Sequence, residues 1–355
     1  MRVMVTGGAG YIGSHAVREL INSGHQVTVL DDLSKGHEDA VDPRATLING
    51  STANLELLIQ RLHAHQIEAV MHFAANIEVG ESVTDPFKYY KNNFSNSLNL
   101  LHAMVKIGIR KFVFSSTAAV YGNPEKTPIE ETQGRKPINP YGRSKMMTEM
   151  AIEDFCHAHG LGFSILRYFN VAGASPDATI GEDHSPESHL IPRILMAARD
   201  EGEVKIFGTD YETEDGTCIR DYVHVVDLAR AHVLALQNLK EGAGEVYNVG
   251  SETGFSVREM IAACEKVVGK KIKVIETDRR AGDPAVLVAS SEKIRAQLKW
   301  EPLYPEIHTI VQHAWHWHST HPQGFTGPYE IRMDHSGTSV PDDDPTTTRS
   351  VVGHG

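Results

Sequence analysis

The stretch MRVMVTGGAGYIG, Met1 to Gly13, decides the fold. Met1 to Thr6 is a short apolar run of the kind found in a strand buried on both faces. Glycines at positions 7, 10 and 13 follow at once, and a helical pattern runs from Ser14 to Asn22. In a strand, glycine turn and helix of this spacing, Gly7, Gly10 and Gly13 allow a tight turn, close backbone approach to a pyrophosphate and close packing of helix on strand. The phosphates then lie over the helix N-terminus. The next strand-like run, Gln26 to Leu30, ends in Asp31 and Asp32. A carboxylate at that place accepts hydrogen bonds from the hydroxyls of an adenosine ribose and repels a 2′-phosphate, so NAD is expected rather than NADP. Lys35, in the following DLSKGH loop, reads as a solvated charge.

The alternation continues outward. Ala45 to Asn49 and Ala69 to Phe73 read as strands, with Leu55 to Ala64 as the helix between them. A long helical stretch, Asp85 to Ile107, precedes another strand, Lys111 to Ser115. This pattern predicts an α/β fold with a doubly wound parallel sheet and ligands off the carboxyl ends of its strands. Two such ends carry Phe73, Ala74 and Ala75, small enough to admit a cofactor, and the hydroxyl-rich Ser115 to Thr117.

After Thr117 and a Pro-rich loop to Pro140 comes PYGRSK, Pro140 to Lys145, which sets a tyrosine and a lysine four residues apart at the start of a helix. Residues so spaced share a face, so the Lys145 ammonium is expected beside the Tyr141 phenol, favouring its ionised form. Bringing a phenol from its ordinary pKa of ~10 toward neutrality requires about 4 to 5 kcal/mol. One lysine together with the positive ring of an oxidised nicotinamide can supply that in a site shielded from water. Tyr141 is thus a candidate base, with Thr117 a candidate hydroxyl at the end of the preceding strand.

At 355 residues the chain is long enough for two lobes. Its formal charge of −12 argues against non-specific binding to nucleic acid or an anionic membrane surface, so any anionic ligand must meet local arginines. Cys156, Cys218 and Cys264 lie far apart, which suggests neither a disulfide framework nor a thiolate zinc site. Glycines interrupt the N-terminal apolar run before a signal segment could form, and no apolar run reaches transmembrane length. A cytoplasmic enzyme is expected.

Beyond Tyr141 the helix is predicted to run to about His159, followed by a strand from Gly162 to Tyr168 and then Phe169 and Asn170. The Gly, Asp and Pro-rich loop from there to Glu187 is long enough to be functional. It marks the boundary of a smaller, discontinuous substrate lobe. Residues 1–170 are read as mainly the dinucleotide domain, and 171–325 as mainly the substrate lobe with segments returning to the first. Val223 to Leu239 and the capped Ser256 to Val268 read as helices without chemistry. The histidine cluster HAWHWHSTH, His313 to His321, contains no acidic or cysteine ligand and is read as a packed terminal helix, so no metal is expected. Residues 326–355 shift to Gly, Ser, Thr, Asp and Pro and are expected to be disordered.

TGGAGYIGSH, FSSTAAVYG, PYGRSK, LRYFN, EDGTCIRDYVHV and HPQG together resemble the extended short-chain dehydrogenase/reductase family, from Met1 to about Phe325. Within it they are most similar to members that invert C4 of a UDP-sugar. The resemblance implies a Rossmann-type domain holding NAD and a transient 4-keto sugar. Tyr141 would be the base and later the acid, Lys145 would lower its pKa and bind the nicotinamide ribose, and Thr117 would orient O4. It places Gly7, Gly10, Tyr11, Ile12, Gly13, Asp31, Asp32, Ser34, Lys35, Gly36, Phe73 to Ala75, Asn92 and Phe169 around NAD. Asn170, His189, Leu190, Phe207, Arg220, Arg280 and Asp283 would meet the UDP moiety. Arginine forks match phosphate oxygens; the lesser alternative for Arg220 is a buried pair with Asp221 or Asp227, and for Arg280 a solvated charge is an equal one. Ile77 and Ser51 depart from the lysine and aspartate common at those places near the cofactor. Leu287 stands where a bulky tyrosine restricts the N-acetyl pocket.

UDP-galactose and UDP-glucose are the substrates this resemblance favours, with UDP-N-acetylhexosamines and UDP-pentoses as alternatives. A 4,6-dehydratase would need acidic groups after Thr117, where Ala118 and Ala119 stand. A sensor that merely kept the fold is disfavoured by retention of Thr117, Tyr141 and Lys145. A homodimer built from the helix within Asp85 to Ile107 and the helix after Tyr141 is also implied.

Overall fold

A computed structural model describes residues 1–280 and 283–325; the tail expected to be disordered lies outside the described residues. The first half contains β1 (Arg2–Thr6), α1 (Tyr11–Asn22), β2 (Gln26–Asp31), β3 (Thr46–Asn49), α2 (Leu55–Ala64), β4 (Ala69–His72), α3 (Val79–Thr84), α4 (Pro86–Tyr89), α5 (Asn96–Ile107), β5 (Lys111–Thr117), α6 (Pro140–His159) and β6 (Gly162–Tyr168). There follow β7 (Asn170–Ala172), α7 (Leu190–Arg199), β8 (Glu203–Phe207), β9 (Ile219–His224), α8 (Val225–Asn238) and β10 (Gly244–Val249). The described chain continues through β11 (Gly254–Ser256), α9 (Val257–Val268), β12 (Lys273–Thr277), β13 (Val286–Leu287), α10 (Glu292–Leu298) and α11 (Ile307–Thr320).

Seven strands pair in parallel in the order β10-β6-β5-β4-β1-β2-β3, a doubly wound sheet of Rossmann type. Val3, Met4, Val5 and Thr6 are inaccessible to solvent, as a strand covered on both faces requires. One face packs against α1 and α8 through Val17, Leu20, Leu228 and Leu236; the other packs through Leu58, Leu101, Phe112 and Ile152. Because β1 lies between β2 and β4, the connections from it diverge to opposite sides, opening a crevice beyond the strand ends.

Past Asn170, α7, α9 and α11 enclose another core around Ile191, Ile194, Leu195, Met260 and Val311. Small sheets accompany it: β9 pairs with β7, β11 and β13, and β8 pairs with β12. Meanwhile α8 and β10 return to the large sheet. Met1–Phe325 form one unit by their contacts. Ser256 caps α9 in a reciprocal capping box with Glu259, as its sequence predicts. No helix among the described residues is long and apolar enough to cross a membrane.

One local reading is corrected: α1 begins at Tyr11 rather than Ser14, so Gly13 sits inside the first turn of the helix. The expected long helical stretch over Asp85 to Ile107 is present as one run from Pro86, widened in its middle: Asp85 accepts from Lys88 N as a cap and Pro86 opens α4, while Tyr90–Ser95 form a wide π-helical turn that leads directly into α5. That turn directs Asn93 inward, where its side chain donates to Asn76 O (2.9 Å) and accepts from Asn76 N (2.8 Å).

Candidate active site

A cavity of about 470 Å³ opens off the carboxyl ends of the central strands. Its floor is the glycine turn. Gly7 has φ +74°, and a Cβ there would lie 2.5 Å from Ala74 N. A Cβ on Gly13 would lie 2.0 Å from Gly7 O, so the helix can approach the strand only without a side chain at that position. By contrast, a Cβ on Gly10 would meet Gly7 O at an ordinary 3.5 Å, and the cavity side stays open to a ligand. The end of β2 brings Asp31 to the same wall. Its two carboxylate oxygens accept from Ala9 N (3.0 Å) and Leu33 N (2.9 Å). Burial raises the Asp31 pKa, while those two N–H groups draw it down. This backbone cradle beside an oriented carboxylate fits the pyrophosphate and ribose of a dinucleotide.

Tyr11, Ile12, Asp32, Ser34, Lys35, Gly36, Phe73, Ala74, Ala75, Asn92 and Phe169 also line the cavity, as do the divergent Ser51 and Ile77. Tyr11 Oη donates to Gly173 O (2.6 Å), joining the cradle to the chain beyond β7. Lys35 is half-exposed, yet it reaches across to Ser185 O (2.9 Å), so it does more than the solvated charge expected of it.

The chemical wall lies between β5 and α6. Thr117 ends β5, and Tyr141 occupies the first turn of α6, where Asn139 caps by accepting from Gly142 N (2.9 Å). Gly142 allows this approach, because a Cβ on it would sit 2.5 Å from Ala119 O. Both Thr117 and Tyr141 are 8% exposed and line the cavity. Lys145, one turn on, lies beneath the wall: its Nζ donates to Ser115 O (2.9 Å) and sits 4.9 Å from the Phe114 ring centre.

Burial pushes the Tyr141 phenol up, and the adjacent Thr117 hydroxyl draws it back. Burial brings Lys145 down to about 7 against the pull of Glu149. Sequence reasoning also missed what holds α6 in place. Glu149, inaccessible to solvent, accepts from Arg167 Nε (3.0 Å) and Nη2 (2.6 Å), Ser116 Oγ (2.5 Å) and Arg135 Nη1 (3.1 Å). Its signal was its place four residues beyond Lys145, on the same helix face.

Across the cavity are Asn170, His189, Arg220 and Asp283. Arg220 pairs with Asp283, not with Asp221 or Asp227. Asp221 accepts from Ser251, Glu252 and Ala289 N–H groups, and Asp227 from those of Leu303 and Tyr304. Three other expected substrate contacts lie off the cavity wall. Leu190 packs into the core of α7 and α9, and Arg280 stacks over the Phe207 ring with its guanidinium 3.8 Å from the ring centre. Leu287 is on the wall.

Histidines of the terminal helix pack as expected: His313 Nδ1 lies 3.0 Å from His224 Nε2, and His321 stacks on Trp317. An unanticipated group forms instead in the loop before α7, where Glu182, His184, Glu187 and His189 bring one ligand atom each within 4.8 Å of one another. The contact with Glu182 holds His189 above its ordinary pKa, and the two histidines hold Glu182 below its own despite its burial.

A glycine cradle, an acidic strand end and a Thr, Tyr and Lys wall on one parallel sheet define a dinucleotide-dependent enzyme acting on an alcohol or carbonyl carbon. The chain belongs to the NAD dependent epimerase/dehydratase family, matching it over residues 3–250; NAD is its cofactor. It is 51% identical over 328 residues to the UDP-glucose 4-epimerase of Halalkalibacterium halodurans, covering 92% of this chain and 98% of that one. The structure of UDP-glucose 4-epimerase from Bifidobacterium longum in complex with NAD+ and UDP superimposes with a TM-score of 0.88 at 36% identity, covering 92% of this chain and 100% of that one. The UDP-Glc/GlcNAc 4-epimerase of Campylobacter jejuni gives 0.79 at 42%, covering 90% and 99%.

Proposed function

We propose that the chain is a UDP-glucose 4-epimerase that interconverts UDP-galactose and UDP-glucose through a transient 4-keto sugar. The observation that carries this reading is one cavity lined both by the glycine cradle and by Thr117 and Tyr141, with the Arg220–Asp283 pair on its far side. When bound, NAD supplies a reversible hydride acceptor for C4 of the sugar. Tyr141 takes the O4 proton as the C4–H bond breaks and returns it when hydride comes back to the opposite face, so proton and hydride balance over the cycle. Thr117 aligns O4, since a hydroxyl both donates and accepts. Lys145 acts on the nicotinamide ribose, and Arg220 turns from Asp283 toward the UDP phosphates.

Residues 1–170 serve mainly the cofactor and 171–325 mainly the substrate. Asn170 and His189 meet the diphosphate end of the ligand, with Leu190, Phe207 and Arg280 behind the wall. Leu287, smaller than a tyrosine, leaves room for N-acetylated sugars, which the chain would also turn over. Exposed Val83, Phe87 and Met150, on the adjacent α3, α4 and α6, support a homodimer closed through these helices. Three free cysteines agree with a cytoplasmic setting.

The test is proton NMR of UDP-galactose incubated with purified protein and no added cofactor. UDP-glucose should appear. Unchanged UDP-galactose after NAD is also supplied would exclude this substrate pair.

A further inference from the structure

We propose that Glu182, His184, Glu187 and His189 form a structural zinc site in the outer wall of the cavity. His189 Nδ1 lies 2.6 Å and His184 Nδ1 3.3 Å from Glu182 Oε1. The same nitrogens lie 3.5 Å and 3.8 Å from the Glu187 oxygens. Zinc bound to imidazole nitrogen and carboxylate oxygen at about 2.0–2.2 Å in a tetrahedron separates its ligand atoms by about 3.3 Å. These four separations scatter around that value, and the closest pair would have to open by about 0.7 Å.

Direction supports convergence on a shared point. Despite their short separations, Glu182 Oε1, His184 Nδ1 and His189 Nδ1 are buried without an aligned hydrogen-bond partner. Glu182 is 3% exposed and its Oε1 is among these unpartnered atoms, so the carboxylate is both desolvated and turned into the cluster. Two carboxylates neutralise a divalent cation. Two imidazoles select a borderline transition metal over magnesium or calcium.

All four ligand atoms belong to the protein, so the ion would be structural and take no part in the hydride chemistry; His189 would hold it through Nδ1 and keep Nε2 for the diphosphate. Its effect would be to tie the loop that carries Glu182, His184 and Glu187 to the start of α7. That loop is otherwise held by Trp317 Nε1 donating to Glu182 O (2.9 Å) and by the edge of the Tyr11 ring against His184. The assignment is independent of which sugar the enzyme accepts.

The test uses the full, untagged, NAD-loaded chain, dialysed against zinc chloride, desalted and measured by inductively coupled plasma mass spectrometry. About one zinc per chain is expected, falling below about a tenth in His184→Ala and Glu187→Gln. X-ray absorption of the loaded wild type should show two imidazole nitrogens and two oxygens at about 2.0–2.1 Å, which identifies the ligands even where a variant does not fold. Wild type holding less than about a tenth of a zinc would overturn the site and leave a purely ionic Glu–His cluster. So would a bound zinc whose scattering shell lacks imidazole.

Discussion

Desolvation works against Tyr141 as a base, and Thr117 works for it. Removing that hydroxyl must raise the phenol's pKa, so a higher pH is then needed to ionise it. Thr117→Val should move the rising limb of kcat against pH upward by roughly one unit, about the worth of a hydrogen bond. An unmoved limb would assign Thr117 to positioning O4 alone. Tyr141→Phe should cut kcat by about 10²–10⁴ while NAD stays bound, measured by turnover and by nucleotide released on denaturation. At this scale the sequence pointed to the residues that meet at the wall but not to how they are poised. The Tyr141, Lys145 and Thr117 set was legible from spacing and resemblance. That Lys145 Nζ donates to Ser115 O depends on how far α6 sinks against β5, which spacing along one helix does not record.

Among elements, the join between β1 and α1 is the least tolerant. Gly13→Ala would drive a methyl into Gly7 O, so the turn must part and NAD retention should fall at least tenfold, read from the nucleotide that co-purifies. A variant that keeps its cofactor would show that the turn relaxes. Beneath α6, Glu149→Gln leaves Arg167 buried with a neutral partner, and an unfolding titration in urea should show a loss of about 3–5 kcal/mol. The alternation of strands and helices was readable because the inner strands β1, β4, β5 and β6 are buried along nearly their whole length and so are largely apolar. α3 and the widening of the helix at Tyr90–Ser95 were not read from the sequence. The Asn76–Asn93 pair joins residues 17 apart, beyond any local pattern.

For the molecule as a whole, Phe87 is 77% exposed and Met150 49%, a cost in solvent that a second copy would remove. Phe87→Glu combined with Met150→Glu should convert a dimer to a monomer in light scattering; a double variant of unchanged mass would place the interface elsewhere. Of the part past Asn170, α9 and the terminal helix α11 were legible but the small sheets were not. Its short strands, such as β13 with two residues, carry too little sequence to announce their pairing.

The segment from Gly173 to His189 is anchored at several places around the cavity. Arg18 reaches Asp177 and Thr179, Lys35 reaches Ser185 O, His37 lies 3.2 Å from Asp183 O, and Trp317 holds Glu182 O. Glu182, His184, Pro186 and His189 of this segment line the same cavity as the glycine turn, so a dinucleotide seated there would be retained while the ties hold. Each molecule would then keep a private redox couple, insulated from the ratio of oxidised to reduced nucleotide around it. The same insulation would have a cost: a copy that released its sugar too early would be stranded with reduced cofactor until the segment opened.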